Sequence, residues 1–190
     1  MSQENKQLFS NYYRDQQKKL HEKEISYGRG PRLRLARVIK FLEEEKVANF
    51  IDYGCGKAML RNLIMQSVWP YDPMVEEFSR EPPQADYLVC VDVLEHIEPE
   101  LLDNVLEHIQ SKFKKKALFY ISWAVGSAFL PDGRDAHLIL EDHHWWLQRL
   151  EKYFWIESME MKPVHSMRPP SASTPKGAYF VVRHLIDETT

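Results

Sequence analysis

Two glycines and an acidic residue stand at the end of the first predicted strand. The apolar run Val47–Tyr53 is followed directly by Gly54 and Gly56, with Asp52 just before the first of them. Glycines at a strand-to-helix turn let a ligand approach the backbone where other side chains would collide. The pattern therefore predicts a binding turn, although a tight turn that binds nothing has the same composition.

Two phosphate-binding interpretations of this turn fail on spacing. A phosphate-cradling P-loop needs a glycine five residues before Gly56, where the chain has Ile51. The nicotinamide dinucleotide fingerprint needs a third glycine at the position of Met59. The turn is therefore not predicted to bind a nucleotide in either of these ways.

Acidic residues also follow the next two predicted strands. Asp72 lies 20 residues after Asp52, at a place where a carboxylate can accept hydrogen bonds from both hydroxyls of a ribose. The alternative for Asp72 is a simple Asp-Pro turn. After the strand Ala85–Val91 comes the sequence Asp-Val-Leu-Glu-His at residues 92–96. Since carboxyl ends of parallel strands share one edge of a sheet, we expect these residues to meet there.

Together these motifs resemble class I S-adenosylmethionine-dependent methyltransferases over residues 45–160, and more narrowly a small phage-type methyltransferase-like subgroup. The resemblance implies a Rossmann-like fold, S-adenosylmethionine as cofactor, and an enzyme that methylates a small-molecule or nucleotide-like acceptor. It implies a cofactor site made of Asp52, Gly54, Cys55, Gly56, Asp72, Asp92, Val93 and Glu95. Two departures are visible, because Ala58 replaces a third glycine and the segment 73–86 is too short for a further helix and strand.

Methyl transfer requires little of the protein beyond alignment of the acceptor and, for an oxygen acceptor, removal of a proton. The candidates for catalysis are His137, His96 and Arg134. Each histidine has an alternative as a hydrogen-bonded structural residue. Arg134 has an alternative as the partner of a nearby carboxylate that only fixes its loop.

The same residues are compatible with two other functions. A non-catalytic cofactor-binding module is one alternative. Nucleic-acid methylation is another, supported only by a basic row at Arg29, Arg32, Arg34, Arg37 and Lys40. No metal site is predicted, because adjacent histidines at 143 and 144 are expected to point apart and not to converge with Asp142 and His137.

Strands and helices must alternate to bring these residues to one edge. Predicted helices cover residues 4–24, 31–46, 57–66, 99–116 and 143–153, and predicted strands cover 47–53, 68–71, 85–91, 117–123, 155–161 and 179–185. The alternation predicts a single three-layer α/β/α domain with a mostly parallel sheet and a C-terminal antiparallel strand pair. The N-terminal helices at 1–45 are expected to be part of this domain, with the methyltransferase-like α/β portion at 46–190.

Composition and charge limit the classes of protein to which the chain can belong. The chain has 190 residues, 44 % of them hydrophobic, and a formal net charge of −3, which suits one globular domain and argues against a protein that coats nucleic acid. The sequence has no apolar run long enough to predict a membrane-spanning helix. Two cysteines cannot build a disulfide scaffold, so we expect reduced thiols and a cytoplasmic location. The sequence does not indicate the oligomeric state.

Overall fold

A twisted sheet carries the structure, which is a computed structural model that describes residues 6–24, 27, 31–162 and 175–185, with the backbone alone for 31–33. Within these residues the strands are β1 (Asn49–Tyr53), β2 (Ser67–Tyr71), β3 (Ala85–Val91), β4 (Phe113–Ser122), β5 (Phe154–Lys162) and β6 (Gly177–His184). Their spatial order is β2-β1-β3-β4-β6-β5.

The strand directions confirm the predicted mixed sheet. β1 pairs in parallel with β2 and β3, and β3 pairs in parallel with β4. β6 runs antiparallel to both of its neighbours, β4 and β5. Because the first four strands are parallel, the residues that follow Tyr53, Tyr71, Val91 and Ser122 emerge at the same edge. The topology therefore brings the predicted site residues together.

Helices cover both faces of the sheet. They are α1 (Asn11–Lys23), α2 (Pro31–Glu44), α3 (Met59–Leu63), α4 (Leu102–Lys112) and α5 (His143–Leu150). On one face α4 and α5 bury an apolar cluster that includes Leu106 and Trp146, both fully buried. On the other face α2 and α3 pack through residues such as Phe41 and Leu60. The three-layer prediction is confirmed, and burial of these apolar stripes is its driving force.

The first helix lies across the carboxyl edge of the sheet. Its buried residues Tyr13 and Leu20 pack against Leu130 and Ala136 of the loop after β4. The helix begins at Asn11, later than predicted, because the Ser10 side chain caps it by accepting a hydrogen bond from Tyr13 N. Residues 4 and 5 of the predicted helix lie outside the described residues.

Two predicted helix boundaries are wrong. α3 is shorter than predicted because Ala58 adopts the left-handed region at φ +49° and Ile64 is already extended. Residues 113–116 were assigned to the end of the preceding helix, but Phe113 begins β4 opposite Ala85. The lysines in this segment suit a helix terminus, and strand pairing with burial of Phe113 overrides that local preference.

The sheet ends at β2 on one side. The segment after it makes only a short 3₁₀ turn at Glu76–Phe78 before β3 begins, in agreement with the predicted lack of a further helix and strand. Cys55 and Cys90 are buried and free, which agrees with the expected thiols. Among the described residues no helix is long and apolar enough to cross a membrane.

Candidate active site

A cavity of about 850 Å³ opens at the carboxyl edge of the sheet. Its sheet side is lined by the ends of β1, β2 and β3, namely Gly54, Gly56, Asp72, Asp92 and Val93. This volume lies within the range of small-molecule and cofactor sites. Five of the eight residues predicted for the cofactor site therefore line one cavity.

The glycine turn has the backbone conformation that its composition predicts. Gly54 and Gly56 lie at φ +73° and +52°, where side chains are disfavoured. Gly54 N donates a 2.7 Å hydrogen bond to Tyr71 O, which ties the turn to the end of β2. A Cβ atom on Gly54 would collide with the side-chain methyl groups of Val93. Only glycine therefore fits at position 54.

Asp72 combines the two interpretations of its sequence. One carboxylate oxygen accepts a hydrogen bond from Gly56 N and the other from Met74 N, each at 2.9 Å. The side chain is nearly buried, and burial raises the pKa of its carboxyl group. Asp72 also lines the cavity, and each oxygen keeps a further lone pair that a ligand hydroxyl can use. It organises the glycine turn and faces the ligand space.

Asp92 follows β3 in a left-handed conformation at φ +53°. Its Oδ1 lies 3.4 Å from a guanidinium nitrogen of Arg34, which in turn stacks over the ring of Tyr120 at 3.7 Å. Burial raises the pKa of Asp92. Arg34 lines the cavity too, which its place in the basic row of the sequence does not indicate.

Three predicted cofactor residues stand behind the cavity wall. Asp52 and Glu95 are 2 % and 0 % exposed, and Cys55 is fully buried. None of them is among the residues that line the cavity. Direct cofactor contact by these three side chains stays a prediction.

Two histidines face the cavity side by side. The rings of His96 and His137 lie edge to face with centroids 4.7 Å apart. His96 Nδ1 lies 2.7 Å from Ala136 O, and His137 Nδ1 lies 2.7 Å from Ala124 O. A carbonyl oxygen can only accept, so each Nδ1 carries the proton. In the neutral imidazole of this tautomer, Nε2 has the lone pair.

Asp135 and Arg134 both hold the loop after β4 in place. Asp135 accepts hydrogen bonds from His137 N and Gly126 N, which fixes the loop on both sides. Arg134 is not a cavity residue, and its guanidinium pairs with Asp132 at 2.8 Å on the surface. This placement gives no support to the predicted catalytic role of Arg134, and the geometry agrees with its alternative role in fixing the loop.

Residues near the N-terminus roof the cavity, and sequence reasoning missed them. Tyr13, Gln17 and His21 of α1 line it, as does Tyr27. The Tyr13 hydroxyl donates to His96 O and accepts from Gln17 Nε2. The only signal in the sequence is an unusual number of aromatic residues in a polar helix, which does not indicate what the helix covers.

The sequence of the chain matches the model of a methyltransferase domain family over residues 27–163. The chain belongs to this methyltransferase family. The match covers the glycine turn, the acidic strand ends and the loop after β4 that contains His137. No curated protein is significantly similar in sequence.

Solved structures show the same fold at low sequence identity. The methyltransferase is similar to DhpI, solved as a complex with SAH, with a TM-score of 0.55, 16 % identity, and coverage of 91 % of this chain and 93 % of that one. It is similar to an S-adenosylmethionine-dependent methyltransferase from Archaeoglobus fulgidus, with a TM-score of 0.51, 14 % identity, and coverage of 80 % of this chain and 93 % of that one. It is also similar to TehB from Haemophilus influenzae, with a TM-score of 0.53, 13 % identity, and coverage of 79 % of this chain and 62 % of that one.

These likenesses agree with the class I fold, and S-adenosylmethionine is the expected cofactor of this methyltransferase. The family match supports an enzyme over a non-catalytic binding module. The residues of this chain fit such a cofactor, because a glycine turn free of side chains and two acidic strand ends share one cavity wall. Membership of the phage-type subgroup stays a prediction.

The described part of the basic row is largely engaged within the methyltransferase. Arg34 pairs with Asp92, Arg37 with Glu160 and Lys40 with Glu44. Arg29 lies outside the described residues, and the side chain of Arg32 is not described. Pairing with nearby acids leaves these three cations less suited to phosphate groups than the sequence suggested.

Asp52 of the methyltransferase should make stability depend on pH. Burial, followed by the charge of Asp72, raises the pKa of Asp52 to about 7. The folded state then holds a proton that the unfolded chain releases near pH 4, so this stabilisation is lost as pH rises through 7. Between pH 5 and pH 8 the loss is roughly 2 to 3 kcal/mol.

Urea denaturation of wild type and Asp52→Asn at these two pH values measures this contribution. The variant should lack this part of the pH dependence and gain stability relative to wild type at the higher pH. An identical pH dependence in the two proteins would show that Asp52 is not protonated in the fold.

Proposed function

We propose that this methyltransferase transfers a methyl group from S-adenosylmethionine to a hydroxyl oxygen of a small-molecule or nucleotide-like acceptor. The observation that carries the proposal is the pair His96 and His137, whose Nδ1 protons are engaged by carbonyls within the cavity that the glycine turn lines. A lone pair on nitrogen is what the removal of a hydroxyl proton requires.

The cofactor and acceptor would occupy opposite sides of the cavity. The glycine turn at Gly54 and Gly56 would receive the methionine part, and Asp72 would accept hydrogen bonds from the ribose. The bound sulfonium supplies an electrophilic methyl group. Asp92 and Val93, also in the wall, would lie beside the cofactor.

The chemistry needs one base and a fixed line of approach. Bound S-adenosylmethionine would supply the methyl group: the acceptor oxygen would bond to the methyl carbon as the carbon–sulfur bond breaks, and the bonding pair would stay on sulfur to give the thioether product. The hydroxyl proton passes to imidazole. Burial lowers the pKa of His96 to about 3, which makes it a poor base near neutral pH. We therefore assign the proton to His137, with His96 as its neighbour in the wall.

His137→Ala should lower turnover by about 10² to 10⁴-fold, the usual contribution of a general base, and leave cofactor affinity nearly unchanged. The measurement has two parts: calorimetric titration with S-adenosylmethionine, then formation of the demethylated product with a panel of hydroxyl compounds and nucleosides. His184→Ala is the control, because His184 also contacts a backbone carbonyl, Phe113 O, but lies on β6 outside the cavity lining.

Failure of the wild type to bind the cofactor would contradict the proposal as a whole. Full turnover of a hydroxyl acceptor by His137→Ala would remove only the assignment of the base.

A further inference from the structure

A cluster of three potential ligands adjoins the acceptor side of the cavity. One candidate ligand atom from each of Glu95, His96 and His137 lies within 4.8 Å of the other two. The two histidines line the cavity, while Glu95 stands behind them. Its backbone is fixed there, since Glu95 O accepts a 3.0 Å hydrogen bond from Ile139 N.

The histidines are arranged as metal ligands usually are. Histidines that bind metals donate the other ring N–H to a carbonyl or carboxylate, which fixes the tautomer and the ring orientation. His96 and His137 both do so at 2.7 Å, toward Ala136 O and Ala124 O. Two imidazoles that both use Nδ1 to contact a carbonyl therefore lie beside each other at a cavity wall.

Glu95 supplies an independent observation. The residue is 0 % exposed. Its Oε1 accepts a 3.1 Å hydrogen bond from Ser122 N, but Oε2 is buried without a hydrogen-bond partner in the described structure. A buried carboxylate oxygen without a partner is costly, so a missing cation or donor is the simplest explanation.

We propose that Glu95, His96 and His137 bind a divalent first-row transition-metal ion. Two imidazole nitrogens and one carboxylate oxygen form a ligand set that suits such ions. Metal–ligand bonds of about 2.0 to 2.2 Å place ligand atoms at most about 4.4 Å apart, so the observed limit of 4.8 Å requires only small side-chain adjustments. This proposal replaces the sequence-based expectation of no metal site.

The ion deepens the proposed function and rests on it. Three protein ligands leave coordination positions open, and the histidines place them at the cavity that receives the acceptor. The ion would make an acceptor hydroxyl at an open position more acidic, so that it could lose its proton to solvent before methyl transfer. His137 would then act as a metal ligand in place of the base assigned above, and the acceptor class narrows to compounds with a metal-binding hydroxyl.

The test is a calorimetric titration of chelator-treated protein with Zn²⁺, Mn²⁺ and Co²⁺, without cofactor. We expect one ion per chain, and at least tenfold weaker binding in Glu95→Gln, whose amide oxygen can still accept from Ser122 N. His137→Ala should weaken binding similarly. Thermal unfolding of each variant shows that it is folded, and the visible spectrum of bound Co²⁺ reports nitrogen ligation in the wild type.

The matched control is His143→Ala/His144→Ala. These residues form an adjacent pair with ring centroids 4.0 Å apart, so they are the obvious alternative metal site, and the expectation that they point apart is wrong. Binding that survives Glu95→Gln but disappears in this double variant would overturn the proposal, as would absence of binding by the wild type. Parallel titration with S-adenosylmethionine tests the proposed function separately, because the glycine turn and Asp72 are untouched.

Discussion

Gly54→Ala should abolish measurable cofactor binding and destabilise the fold by about 2 to 4 kcal/mol. Gly54 lies at φ +73°, a conformation that costs an alanine about 1 to 2 kcal/mol. The added Cβ also collides with Val93, a branched side chain that lines the same cavity. Relief of the collision must displace either the turn or Val93, and both form the wall on which the cofactor is proposed to lie.

Gly133→Ala is the control for Gly54→Ala, because it separates strain from collision. Gly133 lies at φ +90°, yet a Cβ there would meet nothing within 4 Å. It lies in the surface loop, outside the cavity lining. We expect about 1 to 2 kcal/mol of destabilisation by urea titration and unchanged cofactor affinity. Equal affinity in the two variants, both folded, would show that the glycine turn does not contact the cofactor.

The sheet edge was predictable because local chemistry marks it. Gly54 and Gly56 follow one apolar run, and Asp72 and Asp92 each follow another. The predicted strand ends and the candidate ligand-binding residues therefore coincide in the sequence. Parallel strands then bring these positions to one edge whatever the rest of the chain does. The residues of the cavity wall can therefore be predicted from the local sequence pattern together with the parallel order of the strands.

The roof of the cavity was not predictable, because it depends on long-range packing. Nothing local to α1 shows that Tyr13 will bond the backbone of His96 or that Leu20 will cover the loop after β4. The same limit applies to Glu95, which the resemblance assigns to the cofactor site. Only the fold shows that its side chain is buried beside His96 and His137.

Asp72→Ala should weaken cofactor binding by about ten- to hundredfold, since hydrogen bonds to a charged group contribute about 1.5 to 3 kcal/mol. Two effects act together. The carboxylate that is proposed to bind the ribose is removed, and Gly56 N and Met74 N lose their acceptors, which loosens the glycine turn. Calorimetric titration with S-adenosylmethionine measures the affinity, and urea denaturation measures the accompanying loss of stability.

Asp142→Ala is the matched control for Asp72→Ala. Asp142 also accepts hydrogen bonds from two backbone N–H groups, those of His144 and Trp145, but it is exposed at the start of α5 and does not line the cavity. Its loss should cost about 1 kcal/mol of helix capping and leave cofactor affinity intact. If both variants fold and bind the cofactor as tightly as wild type, Asp72 only supports the turn and the ribose must be held elsewhere. Weakened binding in Asp72→Ala alone would instead tie the affinity to the carboxylate that faces the cavity, because each variant loses two backbone hydrogen bonds.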